Sequence, residues 1–190
     1  MPLQSSRNRS KKKGYFMETK NNLGKYILTG IVGLVLLASF DQWTKQMAVK
    51  YLAGQEDIVL IPGVLSLHYL ENSGAAFGIM QDHLWIFVCT AILFLFIAAI
   101  VYWKLPRIKR YLPLHSIVIC ITAGALGNVI DRIRLRYVVD FIYFSLIDFP
   151  VFNVADIYVT VSSIILVLLV VFYYKEDDFY FLEKQKKQEH

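Results

Sequence analysis

The chain has 190 residues, of which 56% are hydrophobic and 15% aromatic, and its formal net charge is +5. Soluble domains average about 45–50% apolar residues, so this composition, with a mean hydropathy of +0.47, excludes an ordinary soluble protein. The basic residues flank apolar segments and form no stripe on a folded face, which points to a membrane surface and away from nucleic acid.

In chain order, residues 1–22 form a polar, basic extension predicted to be disordered, with either Met1 or Met17 as the native start. Length predicts one domain, built on four apolar segments near the ~20 residues that a bilayer core requires. The first covers about 23–43. Its end, "LLASFDQW", lacks a small-x-small cleavage site, so the segment reads as a retained helix and not a cleaved signal peptide. No Cys follows a lipobox pattern, so the chain is not itself expected to be a lipoprotein. In the 54–83 region two extended runs flank Pro62-Gly63, a turn signal. They predict either a small sheet resting on the membrane surface or an irregular loop.

The second and third spans are about 84–103 and 111–130, joined by the basic "KLPRIKR", and His115 is the one group in the third that titrates near neutral pH. A short connection, 131–149, leads to the fourth span, about 151–174. Trp43, Trp85, Trp103 and Tyr173-Tyr174 mark segment ends, where amphipathic rings favour the interface. Residues 175–190 form a charged tail, predicted to be a solvated helix extension. Cys89 and Cys120 lie inside apolar runs and read as small buried hydrophobes, with no disulfide framework and no metal spacing. The predicted fold class is an all-α membrane protein: four transmembrane helices with a small extracytoplasmic β-element or loop region.

Lys and Arg set the orientation. Residues 1–25, 104–110 and 175–190 carry fifteen of them, against five in 41–83 and 131–149. Both termini are therefore predicted to be cytoplasmic, with the two longer connections outside.

This topology brings Asp41, Asp131, Asp140 and Asp156 to one outer level. Asn128 and Asn153 join them through two N-x-x-D patterns, "GNVIDR" and "FNVADI", and residues three and four apart share a helical face. Asp156 precedes eighteen uncharged residues, 157–174, and an acid this close to lipid is costly enough to suggest function. Asn153 and Asp156 also fit a helix N-cap with an acidic third position. That structural account does not extend to Asp131, at the C-terminal end of its helix. Asp131-Arg132 reads alternatively as a local ion pair, and Asp41 with Lys45 as an i,i+4 pair.

Two carboxylates in a partly desolvated site cannot both ionise easily, so they share a proton. One then takes a proton from water while the other donates to a carbonyl, as in aspartic proteases. A Ser/His/Asp reading is weaker, because His115 lies near the other end and His68 has no Ser partner; a zinc reading lacks ligand spacing. A proton-conducting protein would carry ionisable groups through to the inner side, and a capped-helix scaffold would not need Asn and Asp on several helices at one depth.

The blocks "DQWTK" (41–45), "ENSGAAFG" (71–78), "GALGNVIDR" (124–132), "VVDF" (138–141) and "FNVAD" (152–156) resemble the motifs of the bacterial lipoprotein signal peptidases, signal peptidase II. The resemblance implies a four-helix membrane aspartic endopeptidase over 23–174, with an outward-facing active site in the bacterial inner membrane. Such an enzyme removes signal peptides from diacylglyceryl-modified prolipoproteins just before the lipidated cysteine. By motif, the catalytic pair is Asp140 and Asp156. Asn72, Gly74, Asn128, Arg132, Asn153 and Ala155 fall at substrate-binding or lining positions, and Asp131, Asp41 and Lys45 at supporting ones. No metal or other cofactor is implied, no nucleic acid takes part, and the expected partners are the prolipoproteins, membrane lipid and globomycin-type inhibitors. The chain departs from the pattern at Ala123 and Arg136, where glycines are common, and in a slightly short Asp140–Asp156 connection.

Overall fold

The computed structural model describes residues 23–74 and 84–179. The expectations for residues 1–22, for Ala75–Phe77 of the GAAF stretch and for the tail from residue 180 lie outside the described residues. The elements are α1 (Leu23–Leu52), β1 (Ile58–Ile61), β2 (Leu65–Asn72), α2 (Leu84–Lys104), α3 (Leu112–Leu135), β3 (Val138–Tyr143) and α4 (Val154–Leu168). Four helical segments are long and apolar enough to cross a membrane, as expected, because only helices satisfy every backbone polar group within one lipid-facing segment.

α1 runs nine residues past its predicted end at 43, so Asp41 does not terminate it. Asp41 and Lys45 lie on its buried face, bonded to each other, and nothing breaks the helix until Gly54, which takes φ 70°. The extra turns carry Ala48 and Leu52 beneath the sheet, against Val139 and Phe141 of β3. α4 continues from Leu168 into a π-turn at Leu169–Tyr173.

The tail also differs from expectation. Glu176–Phe179 is a 3-10 turn, not a solvated helix extension, because Asp178 accepts two bonds from Arg110 of the α2–α3 connection. Cys89 and Cys120 are unpaired, but Cys89 is exposed and not buried, since α2 is apolar on every side and has no single face to hide.

Of the two readings of the 54–83 region, the sheet is what forms, and it has a third strand. β2 is central, with β1 and β3 antiparallel on either side and Pro62-Gly63 in the β1–β2 turn. β3 falls inside the predicted connection. Its side chains alternate, Val139 and Phe141 toward α1 and Asp140 toward α4, as the two-residue period of a strand dictates. Arg136 ends α3 with φ 74°, a left-handed conformation that ordinarily favours glycine, at the position where the sequence motif commonly has one.

α3 is the central helix, in contact with the other three. Two glycines allow this. A Cβ on Gly124 would overlap the Ala155 carbonyl oxygen and come within 2.8 Å of Val159 Cγ2; one on Gly127 would overlap the Asp41 carboxylate. Gly124→Val should therefore lower stability by about 1–3 kcal/mol through overpacking, although it removes a flexible residue from a helix. Thermal unfolding in detergent checks this; an unchanged or raised Tm would show that α3 and α4 do not approach so closely.

Candidate active site

The polar residues meet at the end of the bundle beside the sheet. Lys45 is 3% exposed, yet each of its three ammonium protons has an acceptor: Asp41 Oδ2 at 3.1 Å, Asp131 Oδ2 at 2.9 Å and Asn128 Oδ1 at 2.8 Å. That match of three donors to three acceptors leaves none of the buried head group's hydrogen-bonding capacity unsatisfied. Asp131 is thus paired with Lys45 and not with its neighbour Arg132, as the local ion-pair reading held. Its remaining bonds come from Gln42 Nε2 at 2.9 Å and the Val139 backbone N–H at 3.2 Å, which fastens the start of β3. Arg132 donates to the Gly74 carbonyl at 3.3 Å, with its guanidinium 5.1 Å from the centre of the Phe87 ring.

Asp41 also reaches across the bundle: its Oδ1 accepts the Ala155 N–H at 2.9 Å, in the first turn of α4. An acid there satisfies an orphan donor and complements the positive end of the helix dipole. Ala155 is fully buried, and its smallness admits the Gly127–Asp41 contact.

Asn153 caps α4, and Asp156 returns the bond: Asn153 Oδ1 accepts from the Asp156 N–H, and Asp156 Oδ2 from the Asn153 N–H, both at 3.1 Å. The capping box read as a structural alternative is therefore real. It also orients a functional group. With Oδ1 committed to the cap, Asn153 turns its amide nitrogen to Asp140 Oδ1 at 2.6 Å and Asn128 Oδ1 at 3.1 Å. Asn128, accepting from both Lys45 and Asn153, must point its own nitrogen at Asp156 Oδ1, 2.9 Å away. A directed donor chain thus runs from Lys45 through Asn128 to Asp156, while Asn153 donates both to Asn128 and to Asp140.

Asp140 is held from its other side by Asn72, whose amide nitrogen is 2.8 Å from Oδ2. The register explains it: Leu70 faces Asp140, which makes Asn72 its diagonal neighbour on the adjoining strand. Gly74 closes the turn by donating to Asn72 Oδ1 at 3.0 Å. A β-bridge between Ile142 and Phe152 draws the end of β3 to the start of α4. Burial pushes the Asp140 carboxyl up to about 6; the Asp156 charge acts in the same sense, against the hydrogen bonds of Asn72 and Asn153 and the charge of Lys45.

Asp140 and Asp156 border one cavity of about 380 Å³. Asn72, Asn128 and Arg132 line its polar end, and Phe149–Phe152 with Ile157 and Val161 its apolar wall. All eleven residues singled out in the sequence belong to this assembly or to its direct supports. Gln42 was not among them; its signal was a polar side chain inside a membrane-depth helix, one position from Asp41. The apolar wall carried no signal, since its residues differ in no way from lipid-facing ones. Among the described residues no group of three or more His, Cys, Asp or Glu side chains is placed to hold a metal ion.

Four helices long and apolar enough to span a membrane, a three-stranded sheet and a cavity bordered by two carboxylates define a polytopic membrane protein. A family model described as Signal peptidase (SPase) II matches residues 32–172. The chain is 41% identical over 135 residues to the lipoprotein signal peptidase of Streptococcus pyogenes serotype M5 (strain Manfredo), covering 71% of this chain and 88% of that protein. The serotype M6 protein (strain ATCC BAA-946 / MGAS10394) is 40% identical over the same coverage. The fold is similar to a bacterial membrane enzyme solved by the in meso method at 2.3 Å resolution, with a TM-score of 0.65, 32% identity and coverage of 79% and 93%. A second such structure, at 1.9 Å resolution, gives a TM-score of 0.67 and 31% identity over 78% and 96%. The chain belongs to the signal peptidase II family, and so is a membrane peptidase.

Lys45→Met should destabilise the protein by about 3–5 kcal/mol, because Asp41 and Asp131 are left buried without a counter-charge. Adding Asp41→Asn and Asp131→Asn should restore part of the loss. Denaturant unfolding in detergent measures both; a Lys45→Met protein as stable as the wild type would refute the role of the buried ammonium.

Proposed function

We propose that the protein is an aspartic endopeptidase that removes signal peptides from diacylglyceryl-modified prolipoproteins, cutting just before the lipidated cysteine. The observation that carries this reading is the double use of Asn153, which donates to Asp140 while capping Asp156. It fixes two carboxylates against one cavity, and the Asp140 carboxyl, raised to about 6, suits the proton-holding member.

In this mechanism the Asp156 carboxylate, exposed to the cavity and oriented by Asn128, takes a proton from water. The water oxygen bonds to the scissile carbonyl carbon as the Asp140 carboxyl protonates the carbonyl oxygen. The tetrahedral diol then collapses: Asp156 gives its proton to the amide nitrogen, the C–N bond breaks, and Asp140 recovers a proton from the diol hydroxyl. One water is consumed and both carboxyls regain their starting states. Arg132 and Asn72 line the cavity and in this reading hold peptide carbonyls, and the apolar wall toward Ile157 and Val161 suits the diacylglyceryl chains. Globomycin-type cyclic peptides would occupy the same cavity as substrate backbone does. The distribution of Lys and Arg puts this end outside and both termini in the cytoplasm. A scissile bond tethered by its lipid at the outer surface explains why the acids sit at the lipid boundary.

Asp140→Asn and Asp156→Asn should each lower cleavage of a lipidated prolipoprotein by roughly a thousandfold or more. The double variant should be scarcely worse, since residues acting in one step are strongly non-additive. Asp131→Asn should keep partial activity and lose stability. Turnover by either dyad variant, beside a well-folded but inactive Asp131→Asn, would move the catalytic assignment to "GNVIDR".

The pH dependence follows from which member holds the proton. The free enzyme's kcat/KM reports its essential groups. Because Asp140 must be protonated, kcat/KM should fall as pH rises through about 6, the value to which burial raises its carboxyl. A profile that instead rises through pH 6 would require Asp140 as the ionised base and exchange the two roles.

A further inference from the structure

A second cavity, of about 310 Å³, lies between α1, α2 and α3 in the half of the bundle remote from the carboxylates. On α1 it is bordered by Ile27, Gly30, Ile31 and Leu34, and Leu34 is seven residues short of Asp41, about 10 Å of helical rise. Ala98, Ala99, Tyr102 and Trp103 of α2, with Val118, Ile119 and Thr122 of α3, complete the walls. The two hydroxyls in its walls, Thr122 and Tyr102, both bond to backbone carbonyls, of Val118 and Tyr26, so the walls are largely apolar. The groove is also preformed: Tyr102 fits against Gly30, where a Cβ would meet its ring, and donates to the Tyr26 carbonyl at 2.6 Å, pinning α1 to α2.

We infer that this groove binds one acyl chain of an anionic phospholipid, with the headgroup held at its Trp103 end. Three observations select this occupant. The groove opens on helix faces that meet lipid, since Leu28 and Val35 beside it on α1 are 64% and 55% exposed. Its mouth is basic: Arg107 donates to the Trp103 carbonyl at 2.9 Å and lies 5.2 Å from the ring centre, next to exposed Lys104 and Lys109. Such residues at a membrane surface attract anionic headgroups.

The third is size. Two turns of a helix about 10–12 Å across fill roughly 850–1,200 Å³, several times the 310 Å³ present. The groove would therefore enclose only part of a substrate's signal helix, whose basic n-region would meet the same charges. The apolar walls suit a single hydrocarbon chain, and the basic mouth suits its anionic headgroup.

The test uses the whole protein, purified in mild detergent and stripped of lipid, with native mass spectrometry counting bound lipid. Dioleoyl phosphatidylglycerol and dioleoyl phosphatidylcholine are added in turn, so the chains are constant and only the headgroup changes. The wild type should retain one phosphatidylglycerol about fivefold more strongly than phosphatidylcholine. Ala99→Trp fills the groove from an exposed position and should weaken retention of both lipids about tenfold or more. Arg107→Gln should keep chain binding while bringing the two lipids within about twofold of each other. Both variants should cleave lipidated prolipoprotein in detergent as the wild type does, since neither residue touches the carboxylate network. Equal retention of the two lipids by the wild type, or unchanged phosphatidylglycerol retention by Ala99→Trp, overturns the inference. So does a photocrosslink from position 99 that captures the substrate's signal helix in place of lipid.

Discussion

The structure depends on a single buried positive charge. Lys45 places an ammonium at the junction of α1 and α3, and its three protons are shared among Asp41, Asp131 and Asn128. A lysine at this depth is tolerable only because every donor is satisfied. Each of those acceptors then performs a second task. Asp41 holds the first turn of α4, Asp131 fastens the first residues of β3, and Asn128 turns its amide to Asp156. Removing the charge would therefore loosen three elements at once.

Packing and polarity are coupled through the same residues. Gly127 admits the Asp41 carboxylate, Gly124 admits the Ala155 carbonyl, and α3 can therefore approach both α1 and α4. That approach brings Asn128 within reach of Lys45, Asn153 and Asp156 together. The sheet approaches from the other side: β2 contributes Asn72, β3 contributes Asp140, and the alternation along β3 separates its apolar contacts with α1 from its polar contact with Asn153. The two aspartates come from elements whose positions are fixed independently, one by a strand and one by a helix cap. In that shared environment burial, with the neighbouring Asp156 charge, raises the Asp140 carboxyl to about 6.

Much of this was legible in the sequence. Uncharged runs near bilayer length marked the four spans, and acids and amides at one depth marked the site, because polar groups in such runs are rare without cause. What the sequence did not reveal lay between elements. Lys45 and Asp41 form an i,i+4 pair in any helix, and only the fold supplies Asp131 and Asn128 to complete the coordination. Asp131 stands beside Arg132, yet helix α3 turns the two away from each other. β3 was hidden because "VVDFIY" is covered by α1 on one side and the site on the other, leaving no exposed alternate positions to mark a strand. The end of α1 was missed because two charged residues look like a membrane boundary when their burial is unknown. Arg136 adopts a left-handed conformation, φ 74°, that a side chain rarely takes, and nothing in the local sequence announced it.

The central claim is that burial in the network raises the Asp140 carboxyl to about 6, so that it holds a proton below that pH. Infrared spectroscopy of the protein in detergent, recorded across a pH titration, observes that proton through the carbonyl stretch of a protonated carboxyl. The account predicts a band that vanishes as pH rises through about 6, that is absent from Asp140→Asn, and that persists in Asp131→Asn. A band unaffected by Asp140→Asn, or no protonated carboxyl at pH 5, would contradict it.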